Sequence, residues 1–306
     1  VKLSLKLGSG SFFLVCYNIF IKDRRNDTMK RKIALLSDIH GNTTALEAVL
    51  ADAKKEQVTD YWFLGDLLAP GTGRRKILDL MAALPISLQV RGNWEDSIWN
   101  ALHGKLDISR PSHLYMVCLC QYLLEEVTPE ELDRLHELPL QLLTKVGDLE
   151  ITVTHHLPDK NWGRELIHIG QQENFDRLFE GHHCAIAIYG HIHQQFLRYA
   201  TGGQMIINPG SIGQPFFLDA CLRKDLRAQY AILKIDEQGL ADVDFRRVAY
   251  DVNKELELAR TLKLPYYEVY YESLVNGIHH THNHDLLRAI SEREDYVAHL
   301  KEFFEK

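Results

Sequence analysis

The stretch Ile33-Ala34-Leu35-Leu36-Ser37-Asp38-Ile39-His40-Gly41-Asn42 constrains this chain more than any other. A short unbroken apolar run reads as a strand buried on both faces, and this one stops abruptly at an acid, an imidazole and a glycine turn. Leu46, Val49, Leu50 and Ala53 then recur at helical spacing, with Thr44 and Glu47 as a candidate capping box. Side chains two apart on extended backbone leave on one side. Asp38 and His40 therefore make a candidate half-site for a metal ion, weak by itself because such pairs arise by chance.

The same design recurs along the chain. Residues 61–64 read as a second buried strand ending at Gly65-Asp66, residues 75–84 as a helix, and residues 86–90 as a third strand ending at Arg91-Gly92-Asn93-Trp94-Glu95-Asp96. Open α/β sheets hold their sites just past the carboxyl ends of their strands. Between 96 and 142 the pattern turns helical. Residues 114–124 are apolar nearly all round, and Thr128-Pro129-Glu130-Glu131 supplies an N-cap, a first-turn proline and a capping glutamate. This insertion packs on the core, covers the site as a lid, or mediates dimerisation; the sequence leaves all three open.

Strands return at 149–154, leading into His155-His156-Leu157-Pro158, at 185–189, leading into Gly190-His191-Ile192-His193, and at 204–207, leading into Asn208-Pro209-Gly210-Ser211. A helix covers 175–179. Residues 228–235 and 243–248 are expected to close a second sheet. From 251 the chain reads as helical, with Tyr266, Tyr267, Tyr270 and Tyr271 as a packing face. The cluster His279-His280-Thr281-His282-Asn283-His284 interrupts it and reads as a polar loop between helices, with adventitious metal binding as the alternative.

Composition decides what such a site can serve. With 306 residues, 45% hydrophobic and 25% charged, the chain is that of an ordinary globular protein. Its net charge of -7 argues against tracking a nucleic-acid backbone, which needs a basic face. Five cysteines without a Cys-x-x-Cys pair suggest reduced thiols and a cytoplasmic setting, with Cys118 and Cys120 in the core. Residues 12–21 have the length of a signal-peptide core, but Asn18 interrupts them and no Ala-x-Ala follows. The run is also too short to span a membrane. Met29 stands just before the first strand. The expected organisation is thus an extension outside the core over 1–28, a core domain over 29–250 with its helical insertion at 96–142, and a helical C-terminal extension over 251–306. An accessory strand or a targeting segment is the alternative for 1–28.

Asp38, His40, Asp66, Asn93, His155, His191 and His193 are oxygen or nitrogen donors in five short motifs, each following an apolar strand. Such a set suits two divalent ions sharing one carboxylate, each ion keeping positions open for solvent and substrate. The lack of thiolates favours manganese, iron or zinc in a reactive centre over a structural zinc knot.

Asp38-x-His40, Gly65-Asp66, Gly92-Asn93-x-Glu95, His155 and Gly190-His191-x-His193 resemble the five signature blocks of the calcineurin-like metallophosphoesterases, over residues 32–248. The Asn208-Pro209-Gly210-Ser211 block is similar to the small bacterial phosphodiesterase branch. Gly92-Asn93-Trp94-Glu95 and the run from His155 to Gly163 resemble a streptococcal type of asymmetric diadenosine tetraphosphate hydrolase and phosphodiesterase. The resemblance implies an α/β fold, a four-layer α/β/β/α sandwich of two mixed β-sheets flanked by helices. It implies one ion on Asp38, His40, Asp66 and His193 and another on Asp66, Asn93, His155 and His191, most often manganese or iron, with zinc as an alternative. The implied reaction is hydrolysis of a phosphodiester or pyrophosphate bond by hydroxide shared between ions about 3.5 to 4 Å apart, without a covalent intermediate.

One departure is informative. Many members of the family carry a proton-donating histidine directly after the signature asparagine, where this chain has Trp94. An indole gives up no proton near neutral pH. A phosphate leaving group, with a terminal pKa of ~6, needs little such help. This favours pyrophosphate bonds or activated aryl esters over simple alkyl esters, and the streptococcal resemblance implies asymmetric hydrolysis of diadenosine tetraphosphate together with general phosphodiesterase activity. His156 is the candidate acid or phosphate contact, Trp94 a candidate platform for a nucleobase, and Arg91, Lys160 and Arg164 candidate phosphate-contacting cations. Each has a plainer alternative in packing, local hydrogen bonding or a solvated surface. A phosphomonoesterase or protein phosphatase and a non-catalytic binding scaffold are the competing readings. The expected partner is a small phosphate ester or nucleotide rather than a nucleic-acid polymer or a membrane, and a homo-oligomer is allowed.

Overall fold

In a computed structural model, residues 31–304 are described apart from 237, 238 and 240, with side chains through residue 300. The extension over 1–28 and Met29 lie outside the described residues. Strand β1 (Arg31–Leu36) sits at the middle of a five-stranded sheet of order β10-β9-β1-β2-β3. It runs parallel to β2 (Asp60–Phe63), with Leu35 opposite Trp62, and antiparallel to β9 (Ala228–Ile235), with Leu35 opposite Ala231. Ile33, Ala34, Leu35 and Leu36 have no exposed surface. Their alternation splits them between two cores: Ala34 and Leu36 face the helices, whereas Ile33 and Leu35 face the second sheet.

β3 (Ile86–Gln89) ends this sheet on one side and β10 (Ala241–Val248) on the other. The second sheet has the order β4-β5-β6-β8-β7, built from β4 (Gln141–Val146), β5 (Leu149–Thr154), β6 (Ile186–Ile188), β7 (Gln195–Tyr199) and β8 (Met205–Pro209). Its three inner strands are parallel and both edges antiparallel, so both sheets are mixed. Ile151, Val153, Ile186, Ile188 and Ile207 meet the inner face of the first sheet in one dry layer. Leu157, Phe175, Ala187, Tyr189 and Ile206 form a separate core on the outer face of the second sheet. The result is the expected four-layer α/β/β/α sandwich.

Three expectations need correction. β9 and β10 join the first sheet through β1 rather than closing the second. Apolar strands carry no local mark of which neighbour they pair with, and here the antiparallel return beside β1 decides. The hairpin strand β4 and the edge strand β7 escape a periodicity reading because their residues are half-exposed. Helix α1 (Thr43–Lys55) is capped by Asn42, whose Oδ1 accepts from Ala45 N at 3.0 Å. Thr44 makes no capping box with Glu47; its N–H and hydroxyl both donate to the buried Glu255.

After α2 (Arg75–Ala82) and β3, the insertion comprises α3 (Asn93–Leu102), α4 (Pro111–Leu123) and α5 (Pro129–His136), ahead of β4. The Thr128 and Glu131 capping box forms at α5 as expected. α4 is buried on nearly all sides, which its all-round apolarity requires. It packs against α3 and against the C-terminal helices, so the insertion belongs to the core. A short α6 (Gln172–Asp176) covers the second sheet. The C-terminal extension folds into α7 (Val252–Thr261), α8 (Tyr267–Val275), α9 (His284–Arg293) and α10 (Tyr296–Phe304). Tyr266 and Tyr270 are buried in this layer. Glu255 of α7 locks the extension to the core by accepting from Thr44 of α1, Thr72 and Tyr270.

Candidate metal centre

The loops at the carboxyl ends of β1, β2, β5 and β6 and the start of α3 converge. They bring all seven sequence-identified donors into one cluster, six of them from loops and Asn93 from the first turn of α3. Asp38, His40, Asp66 and His193 offer ligand atoms that all lie within 4.8 Å of one another. Asp66 Oδ2 stands 3.7 Å from His40 Nε2 and 3.4 Å from His155 Nε2. Asn93 Oδ1 stands 3.3 Å from His155 Nε2 and 2.9 Å from His191 Nδ1. Asp66 thus joins two groups of donors through one oxygen.

The backbone that delivers these groups is not extended. Asp38, His40, Asp66, His191 and His193 all have positive φ, between 49° and 67°. Such conformations are costly for residues other than glycine and persist only where the surroundings over-determine them. Asp38 and His40 come together through two left-handed turns, not through the alternation of a strand. Close approach also explains a glycine. A Cβ on Gly92 would meet Asp66 Oδ1 at 2.0 Å.

Each imidazole is oriented by a backbone carbonyl. Nδ1 of His40 lies 2.7 Å from Ala69 O, that of His155 2.6 Å from Leu64 O, and that of His193 2.6 Å from Gln214 O. His191 is turned the other way, with Nε2 2.9 Å from Gly163 O. A carbonyl only accepts, so these nitrogens carry the protons and the opposite nitrogens present lone pairs to the cluster. Asp38 Oδ2 accepts from His191 N at 3.0 Å and from the Ser37 hydroxyl, while the buried Oδ1 has the His193 Nε2 beside it at 3.1 Å. Among the described residues no lysine or arginine pairs with any of the seven. Lone pairs and carboxylate oxygens converging in a buried space with no lysine or arginine beside them fit a cation.

Titration follows the same logic. Burial works against charge on His155, but the Asp66 carboxylate outweighs it and lifts the ring to about 10. Asp38 likewise raises His193 against burial. Burial, reinforced by His193, takes His40 down to about 4, and burial with His155 takes His191 to about 4.

Glu95, quoted in a motif without a role, organises the loops. Its carboxylate accepts from Asp66 N at 2.9 Å, Leu67 N at 2.8 Å and Gly92 N at 2.6 Å, clamping the β2 and β3 loops together. Burial first, then Asp66, raise it to about 7. Its place three residues into α3 was the available signal.

The candidate substrate contacts fare differently. Trp94 is 9% exposed, edge-on to His40 at 5.4 Å and to Tyr115 at 6.4 Å, so its ring is core and offers no open face to a base. His156 has no exposed surface. Its Nε2 lies 3.1 Å from Glu165 Oε2, its ring packs on His191, and burial followed by His191 lowers it to about 3. That arrangement packs His156 on His191 and leaves its ring a neutral imidazole rather than an imidazolium acid. Arg91 donates to the carbonyls of His136 and Leu138 and pairs with Asp96, bracing the insertion. Lys160 pairs with Glu165 and lies over the exposed Trp162 ring at 4.8 Å. Arg164 is exposed beside Gly163, whose carbonyl holds His191.

Sequence reasoning set aside one residue that the structure brings to the cluster. His279, from the loop between α8 and α9, has its ring centroid 5.8 Å from that of His193 and 5.6 Å from that of Phe216. Burial first, then His193, His40 and His280, lower it to about 3.

Two mixed sheets packed face to face, with carboxylates and imidazoles gathered at their strand ends, are the architecture of a metallophosphoesterase. The chain belongs to the calcineurin-like phosphoesterase superfamily, whose domain it matches over residues 31–238. An uncharacterised protein of Methanocaldococcus jannaschii is 26% identical over 247 residues, 78% of this chain and 95% of that protein. A metallophosphoesterase from Sphaerobacter thermophilus superposes with a TM-score of 0.59 at 25% identity, over 81% of this chain and 100% of its own. A hypothetical protein from Pyrococcus horikoshii shares the fold with a TM-score of 0.62 at 21% identity, over 81% of this chain and 99% of its own.

Proposed function

We propose that this protein is a dinuclear phosphodiesterase that cleaves pyrophosphate bonds, with asymmetric hydrolysis of diadenosine tetraphosphate as its best-matched reaction. Asp38, His40, Asp66 and His193 would hold one ion, and Asp66, Asn93, His155 and His191 the other. The observation that carries this reading is the single oxygen Asp66 Oδ2 facing both His40 and His155. Manganese or iron suits the mixed oxygen and nitrogen donors, with zinc as the alternative. Bound there, the ions would supply Lewis-acid activation of water and of the phosphoryl oxygens.

The protein's own groups account for the rest. The carbonyls hold these imidazoles aimed at the centre without reorganisation of the rings, and Glu95 holds Asp66 and the start of α3 in register. Exposed Arg164, next in the chain to the Gly163 whose carbonyl holds His191, would be the remaining phosphate contact. No proton donor follows Asn93, since Trp94 is buried indole. The leaving group must therefore depart with little protonation, which favours a nucleotide phosphate or an activated aryl ester over an alkyl ester. The unbonded cysteines 118, 120, 184 and 221 support a cytoplasmic setting.

The test is product analysis with diadenosine tetraphosphate in water enriched in heavy oxygen, beside bis-p-nitrophenyl phosphate and a phosphopeptide. Label in a monophosphate or triphosphate nucleotide, with no phosphopeptide turnover, is the expected result. Two diphosphates would make the cleavage symmetric. A preference for the phosphopeptide would replace this reading with a phosphomonoesterase.

A further inference from the structure

The C-terminal extension lies outside the matched phosphoesterase domain, yet it sends one side chain to the centre. His279 leaves the loop between α8 and α9 and stands edge-on to His193, at an interplanar angle of 83°. Phe216 backs it, and Phe216 N donates to His193 O at 3.0 Å, so ring, backing and ligand candidate form one wall. His279 Nε2 is buried and has no hydrogen-bond partner. A buried polar nitrogen without a partner is rare in folded proteins and calls for an explanation. Besides His280 beside it in the chain, the imidazoles near enough to act on its charge are His193 and His40, both at one end of the cluster. Its atoms do not belong to the tight group formed by Asp38, His40, Asp66 and His193. The missing partner therefore belongs to whatever occupies the space in front of that group.

We propose that His279 is a substrate-positioning residue whose Nε2–H donates to a phosphoryl oxygen of the ester held at the seven-donor cluster. This rests on the phosphoesterase reading of that cluster. A neutral imidazole can place its proton on Nε2, and there it supplies a directed donor on the side where no arginine or lysine pairs with the ligand candidates. The extension then closes the site and contributes to phosphate recognition.

The experiment uses the full chain loaded with manganese. Inorganic phosphate binding is measured by calorimetry, metal content by mass spectrometry, and KM and kcat on bis-p-nitrophenyl phosphate, for wild type, His279→Ala, His279→Gln and His279→Asn. Expected are unchanged metal content and kcat, phosphate binding and KM weakened about tenfold in His279→Ala (about 1.4 kcal/mol), and recovery in His279→Gln, whose amide nitrogen reaches the Nε2 position. His279→Asn, whose amide reaches only Nδ1, should not recover. If the alanine variant fails to fold, the contrast between Gln and Asn decides. Equal phosphate binding in all variants overturns the proposal and leaves packing. Lost metal in the variants also overturns it, by making His279 a ligand. Wild-type protein that binds manganese but no phosphate overturns the reading of the cluster as well.

Discussion

The imidazoles of His40 and His193 face each other nitrogen to nitrogen, with their Nε2 atoms 3.0 Å apart. Each Nδ1 is held on a carbonyl, at Ala69 and Gln214, so both facing atoms are lone pairs unless one ring takes a second proton. A cation between them or an added proton removes the repulsion, and the two compete.

That competition sets a pH dependence for metal binding. His155, lifted to about 10, carries a second proton near neutrality that an ion must displace, and His193 is raised in the same direction. For groups raised above the ordinary 6.5, the stability they contribute is fully present below 6.5 and is lost as pH rises through the folded value. Chelated protein should therefore lose unfolding free energy between pH 6.5 and 10, by up to ~1.4 kcal/mol per pH unit for each proton, with a falling melting temperature, while manganese-loaded protein does not. Calorimetry in buffers of different ionisation enthalpy should show proton release on loading. Heats independent of buffer would refute the assignment.

Asp66→Asn removes the charge that two donor groups share. We expect metal content to fall from two ions per chain to one or fewer and hydrolysis of bis-p-nitrophenyl phosphate to drop at least ~100-fold, since even partners that only orient ligands are worth 10 to 100-fold. Full metal content with wild-type kcat in this variant would count against a bridging role.

Glu95→Ala strips the acceptor from three backbone N–H groups in a buried clamp. Each buried donor left unpaired costs about 1 to 3 kcal/mol, so denaturant unfolding should show a loss of at least about 2 kcal/mol. Because the clamp carries Asp66, metal affinity should weaken with it. A variant destabilised but unchanged in metal affinity would separate the clamp from the centre.

Thiol labelling reads the C-terminal packing. Burial pushes the thiols of Cys118 and Cys120 up to about 12 and that of Cys184 to about 11, whereas Cys221 is exposed. At pH 8 a thiol of pKa 12 is thiolate in only about one molecule in 10⁴. Among these four, Ellman's reagent should label Cys221 alone in native protein and all four after denaturation. Rapid native labelling of Cys118 would mean that α4 is not packed as described.

The site was more legible than the fold around it. Asp38, His40, Asp66, Asn93, His155, His191 and His193 can be read from the chain because each directly follows an apolar run, and an apolar run that ends in a donor is a local pattern. The placement of β9 beside β1 could not be read so, because strand pairing depends on partners about 200 residues away. Trp94 shows the same limit from the other side. Its identity excludes a proton donor, but only the packing of Tyr115 and His40 around it shows that it also excludes a stacking face.

The amino-acid order by itself determined the seven donors, since hydrophobic period and side-chain chemistry are properties of short stretches, and its resemblance to a known family supplied the two-sheet class and the missing acid. Tertiary structure alone decided how the donors meet. Left-handed turns held by neighbouring loops aim Asp38 and His40, carbonyls from distant segments choose the nitrogen each imidazole presents, and a loop more than eighty residues beyond His193 brings His279 to its side. Those contacts are between segments far apart in the chain, and no local pattern encodes them.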